Sequence, residues 1–171
     1  MLFRSEDGAA GTVYYQSTAQ GSTNGTLIID NNNLDAYVTA DGGVVTTSIN
    51  GTVSGGDVGA VIIRNGAELD LEGTFTSFTV SGTWLNQATQ THTVGTVIFD
   101  RAGSQAVTTA GGTFYNIEVT NTGTLAFIDA TSFNNFTDET ASSGLQFNAG
   151  STYTISGSLD RKSTRLNSSH Q

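Results

Sequence analysis

The sequence has no cysteine and no proline among its 171 residues, and charged residues make up only 12% of it. Without cysteine there is no disulfide scaffold and no thiolate metal site. Without proline, the tight turns have to come from glycine and asparagine. No apolar run is long enough to span a bilayer as a helix, and no segment sustains a 3.6-residue period. Cations are scarce as well: 6 Lys and Arg against 15 Asp and Glu give a net charge of -9. Such a surface repels phosphate backbones and anionic lipid, so no nucleic acid and no membrane insertion are expected.

What is present points to strands. Threonine outnumbers even the 21 glycines, and hydrophobic residues at 36% leave enough Val, Ile, Leu, Phe and Tyr for a packed core. A Thr-, Gly- and Asn-rich chain of this kind predicts many short strands separated by tight turns. The length predicts one domain or part of one.

The two ends read differently from the middle. The run DRKSTRLNSSH, Asp160 to His170, resembles the translation of a common sequencing-library adapter at every position. MLFRS at the other end resembles the reverse strand of the same adapter, with GTG as its start codon. Residues 1–5 and 160–171 are therefore read as adapter-derived, set aside from the fold, and expected to lack packing partners. Residues 6–159 are the repeat segment proper, an open-ended slice of a longer protein on this reading. Within them 14 acids face only Arg64 and Arg101, a net charge of -12.

Internal repetition organises that segment. GTLIID from Gly25, GAVIIR from Gly59 and GTVIFD from Gly95 recur at spacings of 34 and 36 residues. Between them lie alternating stretches. AELDLEG puts Leu69 and Leu71 on one face with Glu68, Asp70 and Glu72 on the other, and YNIEV aligns Tyr115, Ile117 and Val119. A β-sandwich would need even hairpins with two-residue Asn-Gly loops. Imperfect repeats with turns of unequal length favour a β-solenoid, in which each coil buries its edge against its neighbours.

The stretch from Gly82 to Thr124, with GTWLN, GTVIFD, SQAV and TFYNIEV in order, resembles the degenerate repeats of very large bacterial surface and secreted proteins of the adhesin type. SGLQFNAGSTYTISGSL, Ser143 to Leu159, resembles a further coil of the same kind. The resemblance covers most of Gly25 to Leu159 and implies an all-β fold, a right-handed parallel β-helix. Its interior candidates are Val97, Phe99, Val107, Phe114 or Tyr115, Ile117, Leu125, Phe127, Leu145, Phe147, Tyr153 and Ile155. Each such side chain contributes about 1.5 to 3 kcal/mol when buried. Trp84 is expected inside, packed one coil away against Gly59 to Ile63 or Thr113 to Tyr115. Asn86, Asn116, Asn134 and Asn135 are expected to bond turn backbone or to stack as ladders.

Chemistry has few candidates. The one histidine outside the flanks, His92 in TQTHT, is expected as an exposed strand residue rather than a general base, and no catalytic residue or cofactor is assigned. Glu68, Asp70 and Glu72 are a weak calcium candidate, with Asp41 or Asp100 as further oxygen donors. Their span of about 13 Å along a strand favours a solvated face instead. T-x-T-x-T runs at Thr89, Thr91, Thr93 and at Thr120, Thr122, Thr124 raise ice binding by threonine ladders as a remote alternative.

These observations lead to the expectation of a non-catalytic, extracellular or cell-surface solenoid acting as stalk or adhesive repeat. Its partners would be adjacent coils of the parent chain, glycans, or a host or neighbouring cell surface. The alternative is a carbohydrate-active enzyme or glycan-binding module of the pectin-lyase-like β-helix class. Isolated Arg64 and Arg101, with no lysine in residues 6–159, supply that chemistry poorly.

Overall fold

The computed structural model describes residues 11–17, 24–33, 46–50 and 57–162. They form 17 strands, grouped in three sheets, and no helix. The first coil holds β2 (Thr26–Asp30), β3 (Thr47–Asn50) and β4 (Asp57–Val58), preceded by β1 (Gly11–Tyr15). The second holds β5 (Ala60–Arg64), β6 (Glu68–Glu72) and β7 (Ser77–Val80), and the third β8 (Trp84–Asn86), β9 (Thr89–His92) and β10 (Thr96–Phe99). Two coils of two strands follow: β11 (Gln105–Thr108) with β12 (Thr113–Val119), and β13 (Thr124–Phe127) with β14 (Thr131–Asp138). The last described coil is β15 (Gly144–Phe147), β16 (Tyr153–Ile155) and β17 (Leu159–Arg161).

Strands of successive coils stack in parallel, which makes the fold a parallel β-solenoid. The first sheet runs β1-β2-β5-β8-β11-β13-β15, and a second runs β4-β7-β10-β12-β14-β16 with β17 also on β14. The third is the short β3-β6-β9. Among these ladders only β1 on β2 is antiparallel. Beyond β9 the third sheet is taken over by the first halves of β12 and β14. Each bends at a corner, so Phe114 pairs with Phe133 and, past the bend, Ile117 pairs with Phe136. At that corner Asn135 Nδ2 donates to Asn116 Oδ1 at 2.7 Å, the expected asparagine ladder. The bend also breaks the alternation read from YNIEV: Phe114, Ile117 and Val119 are buried, whereas Tyr115 turns outward.

The coil period differs from the sequence repeat. Thr26 stacks on Ala60, 34 residues on, but Val61 stacks on Trp84 and Trp84 on Val107, each 23 residues on. Gln105 to Leu125 and Leu125 to Leu145 are steps of 20. GTVIFD therefore lies on the second sheet, as β10, and not above GAVIIR on the first. Its 36-residue offset is one coil plus part of the next.

Alternation puts every second residue of these strands inside, most of them apolar. In β6, Leu69 and Leu71 are buried between the outward acids, and Val61, Trp84, Val107 and Phe127 continue one inward column on the first sheet. Aromatic rings fill the wider part of the interior. Trp84 meets Phe114 edge-on at 5.2 Å, and Phe127 meets Phe133 at 5.1 Å. Most of the expected interior is observed, but Leu145, Tyr153 and Ile155 are half-buried and Phe147 is 43% exposed. They belong to the last described coil, which among the described residues stacks on one neighbouring coil only. Phe147 lies flat on Phe127, centroids 5.5 Å apart, and meets Tyr153 edge-on at 4.8 Å.

The strand ladder continues past the boundary drawn at Leu159. Asp160 pairs with Thr137 and Arg161 with Asp138, and Lys162 N donates to Asp138 O at 3.0 Å. Arg161 Nε also reaches the buried Asp138 carboxylate at 3.2 Å, and Lys162 pairs with Glu139. These three residues thus have partners where none was expected. The physical reason is the open edge of β14, a row of unpaired amides and carbonyls that any extended segment can satisfy. Residues 1–10 and 163–171 lie outside the described residues.

Candidate functional site

Three places on the coil bear on function: the acidic face of β6, the interior around His92, and a groove on the first sheet. On β6 the three carboxylates do share the outer side, in register with Ser48 of β3 and with Thr89 and Thr91 of β9. Crowding acts on the middle one. Burial, then the charges of Glu72 and Glu68, push Asp70 up from the ordinary aspartate range. Its Oδ1 is enclosed without a hydrogen-bond partner. Asp100 follows β10 on another face of the coil, and Asp41 lies outside the described residues. Among the described residues no three acidic or histidine side chains converge to hold a metal ion.

His92 is not an exposed strand residue. It is 5% exposed, because the alternation of TQTHT sends Thr89, Thr91 and Thr93 outward and leaves Gln90 and His92 inside. Nδ1 accepts a hydrogen bond from Tyr115 N at 3.1 Å, so the neutral ring carries its proton on Nε2, which has no partner. Phe75 and Phe114 stand edge-on to it at 5.6 and 6.1 Å. Burial pushes the imidazole down to about 4, only partly offset by the backbone of Val94 and Gly95. The ring is an inward filler, enclosed between Phe75 and Phe114.

Other inward polar groups couple coils. Trp84 is fully buried, as expected, and its Nε1 donates to Gln90 Oε1 at 2.9 Å. Asn86 Nδ2 donates to the same oxygen and to Thr109 O, and Gln90 Nε2 reaches Thr113 O. Gln105 Nε2 donates to Val80 O at 2.6 Å and Gly82 O at 2.7 Å, and its side-chain oxygen accepts from the buried Asn121. The bonds to Gln90 Oε1 lie within one coil, whereas those to Thr109 O, Thr113 O, Val80 O and Gly82 O reach a neighbouring coil, so Asn86, Gln90 and Gln105 act as inter-coil ties.

The groove lies where Gly25, Gly59 and Gly82 stack at the entrance to the first sheet. Gly59 N donates to Gly25 O at 2.7 Å, and a methyl on Gly82 would overlap the Gly59 carbonyl, so only glycine permits this approach. The result is a shallow, open depression of about 580 Å³. Asn24, Thr26, Ser81, Thr83, Asp100 and Arg101 line it with amide, hydroxyl, carboxylate and guanidinium groups. Ser81 Oγ already donates to Asn24 Oδ1 at 2.9 Å. Burial, then the nearby Asp57, push the Asp100 carboxyl up. This lining can hydrogen-bond a hydroxylated ligand, and it holds one acid and one cation.

Family models, curated proteins and solved structures yield no match to this chain. The reading of the site therefore rests on geometry alone. The groove was missed in the sequence because its residues come from four turns far apart in the chain. The available signal was the glycine before each first-sheet strand, which becomes a column only once the 34- and 23-residue steps are known. The threonine runs also separate in space. Thr89 and Thr91 sit on the third sheet, whereas Thr120 and Thr122 turn the corner between the second sheet and the first. They do not form one flat ladder.

Proposed function

We propose that this chain is a non-catalytic stretch of β-solenoid rod, serving as stalk or adhesive repeat in a large extracellular bacterial surface or secreted protein. The observation that carries the reading is the unbroken inter-coil coupling. Five successive coil steps keep strict parallel register on the first sheet, and the buried amides of Asn86, Gln90, Gln105 and Asn121 are committed to tying coils together. A stack of this kind transmits force along its axis and adds about 4.8 Å per coil. The test is incubation of the purified chain with uronate and neutral polysaccharides, with products followed by unsaturated-bond absorbance and reducing ends. No turnover is expected, and turnover abolished by Asp100→Asn would overturn the reading.

A second reading, a glycan-binding surface, is favoured by the groove. Its hydroxyl, amide and guanidinium groups face solvent around Asp100 and Arg101. Binding there would show as chemical-shift changes confined to Thr26, Ser81, Thr83 and Arg101 on titration with oligosaccharides. Shifts lost in Arg101→Ala would establish it.

A further inference from the structure

The sequence carries the acceptor triad N-x-S/T, with x other than proline, at Asn24, Asn50, Asn135 and Asn167. In a secreted chain such a triad marks an asparagine whose side-chain nitrogen takes an oligosaccharide, and the site has to lie on the surface. Two of the triads, Asn24-Gly25-Thr26 and Asn135-Phe136-Thr137, lie wholly among the described residues. The fold treats them in opposite ways.

Asn135 is committed at both ends of its carboxamide. Nδ2 donates to Asn116 Oδ1 at 2.7 Å, and Oδ1 accepts from Ser158 N at 2.9 Å and from Ser158 Oγ at 2.8 Å. Phe136, the middle residue of that triad, is 1% exposed in the core. A sugar on this nitrogen would have to part the corner ladder that joins one coil to the next.

Asn24 is exposed and stands just before β2. Its backbone carbonyl lies so close to Gly59 that a Cβ on that glycine would overlap it, which fixes where the side chain starts. Oδ1 accepts from Ser81 Oγ at 2.9 Å, and among the described residues nothing bonds Nδ2. The oxygen is therefore held while the nitrogen is open. Thr26, whose hydroxyl completes the triad, lines the same groove as Asn24, together with Ser81, Thr83, Asp100 and Arg101. The acceptor nitrogen thus belongs to a depression whose walls hydrogen-bond hydroxyl groups.

We propose that Asn24 is an N-glycosylation site and that the groove seats the first sugars attached to it. This rests on the glycan-binding reading of the groove, with the ligand held covalently rather than captured. The donor is an oligosaccharide linked to a polyprenyl diphosphate. Nδ2 bonds the anomeric carbon, the bond from that carbon to the phosphate oxygen breaks, the diphosphate leaves with the electron pair, and one amide proton passes to a base of the transferase. Oδ1 stays on Ser81, so the transfer costs no hydrogen bond among the described residues.

Secretion of the full chain behind a cleavable leader, from a eukaryotic host that makes this donor, tests the assignment. Cleavage before aspartate places Asn24 in fragment 7–29 and Asn135 in fragment 129–137, so mass spectrometry reads the two separately. An oligosaccharide mass is expected on fragment 7–29 in most secreted chains and none on fragment 129–137. Thr26→Ala should abolish the modification and Thr26→Ser should keep most of it. Against an Asn24→Gln chain, the glycosylated protein should show chemical-shift changes at Ser81, Thr83 and Arg101. A bare fragment 7–29, or equal modification of both fragments, would overturn the proposal. If that fragment is bare while free oligosaccharides still shift Ser81 and Arg101, the glycan-binding reading stands and the acceptor site fails. A glycan on Asn24 that leaves those shifts unchanged would overturn the seat.

Discussion

Replacing Trp84 probes the interior most sharply. Its side chain is fully buried between Val61 and Val107 in the inward column, meets Phe114 edge-on at 5.2 Å, and donates from Nε1 to Gln90. Truncation of such a ring costs about 3 to 5 kcal/mol, through lost burial and the cavity left behind. Trp84→Phe separates two parts of that loss. It keeps most of the ring and removes the indole donor, but Gln90 Oε1 still accepts from Asn86 Nδ2 at 3.2 Å. With that oxygen still satisfied, the expected cost falls to about 1 to 2 kcal/mol. Equilibrium urea unfolding followed by far-UV circular dichroism reads both variants, since the fluorescence reporter is deleted. The parent chain should emit as a buried, weakly quenched tryptophan. A Trp84→Ala cost below about 1 kcal/mol, together with red-shifted and fully quenchable parent emission, would refute the packing described.

Three further outcomes are expected. Burial holds the folded His92 imidazole at about 4 against its ordinary value of 6.5, so the unfolded state binds more protons between these limits. Its contribution is complete above pH 6.5 and is lost as pH falls towards 4, by about 3 kcal/mol in all. Asp70 and Asp100, whose carboxyls are pushed up, act in the opposite sense. Comparison of acid unfolding with His92→Gln isolates the histidine, and an unchanged slope in that variant would count against its burial. Gly82→Ala should lower the melting temperature by several degrees or prevent folding, because its methyl meets the Gly59 carbonyl rather than a flexible side chain. A neutral result there would break the glycine column. Arg161→Ala removes the cation on the buried Asp138, which keeps Ser143 Oγ at 2.7 Å, and should cost about 1 to 3 kcal/mol in urea. No loss would mean that the strand from Asp160 onward adds nothing to the fold, as the adapter-like sequence implies.

Much of the architecture is legible in the residues, and the reasons are local. ELDLE shows its inward leucines by strict alternation, Asn65-Gly66 marks the turn into β6 with both residues at positive φ, and the glycine-led strands announce repetition. The period is not legible, because the coil shortens from 34 to 23 and then to 20 residues along the stack. Repeats from different sheets, such as GAVIIR and GTVIFD, therefore look equivalent in sequence. His92 looks solvent-facing in the sequence because every residue of TQTHT is polar. In TQTHT the alternation itself decides, and the interior has amides and ring edges to receive it. The groove required knowledge of which turns stack, and that information is three-dimensional.

The central claim is the coil register, and double spin labelling tests it most directly in a chain with no native cysteine. Ile62, Leu85 and Ile98 all point outward, so nitroxides placed there as Ile62→Cys, Leu85→Cys and Ile98→Cys leave the core intact. Ile62 and Leu85 are register partners on adjacent parallel strands, whose spacing is about 4.8 Å. The pair Ile62 and Leu85 should show strong dipolar broadening, and the pair Ile62 and Ile98 little or none. Broadening of the second pair without the first would mean that the 36-residue sequence repeat sets the coil, and would contradict the fold described.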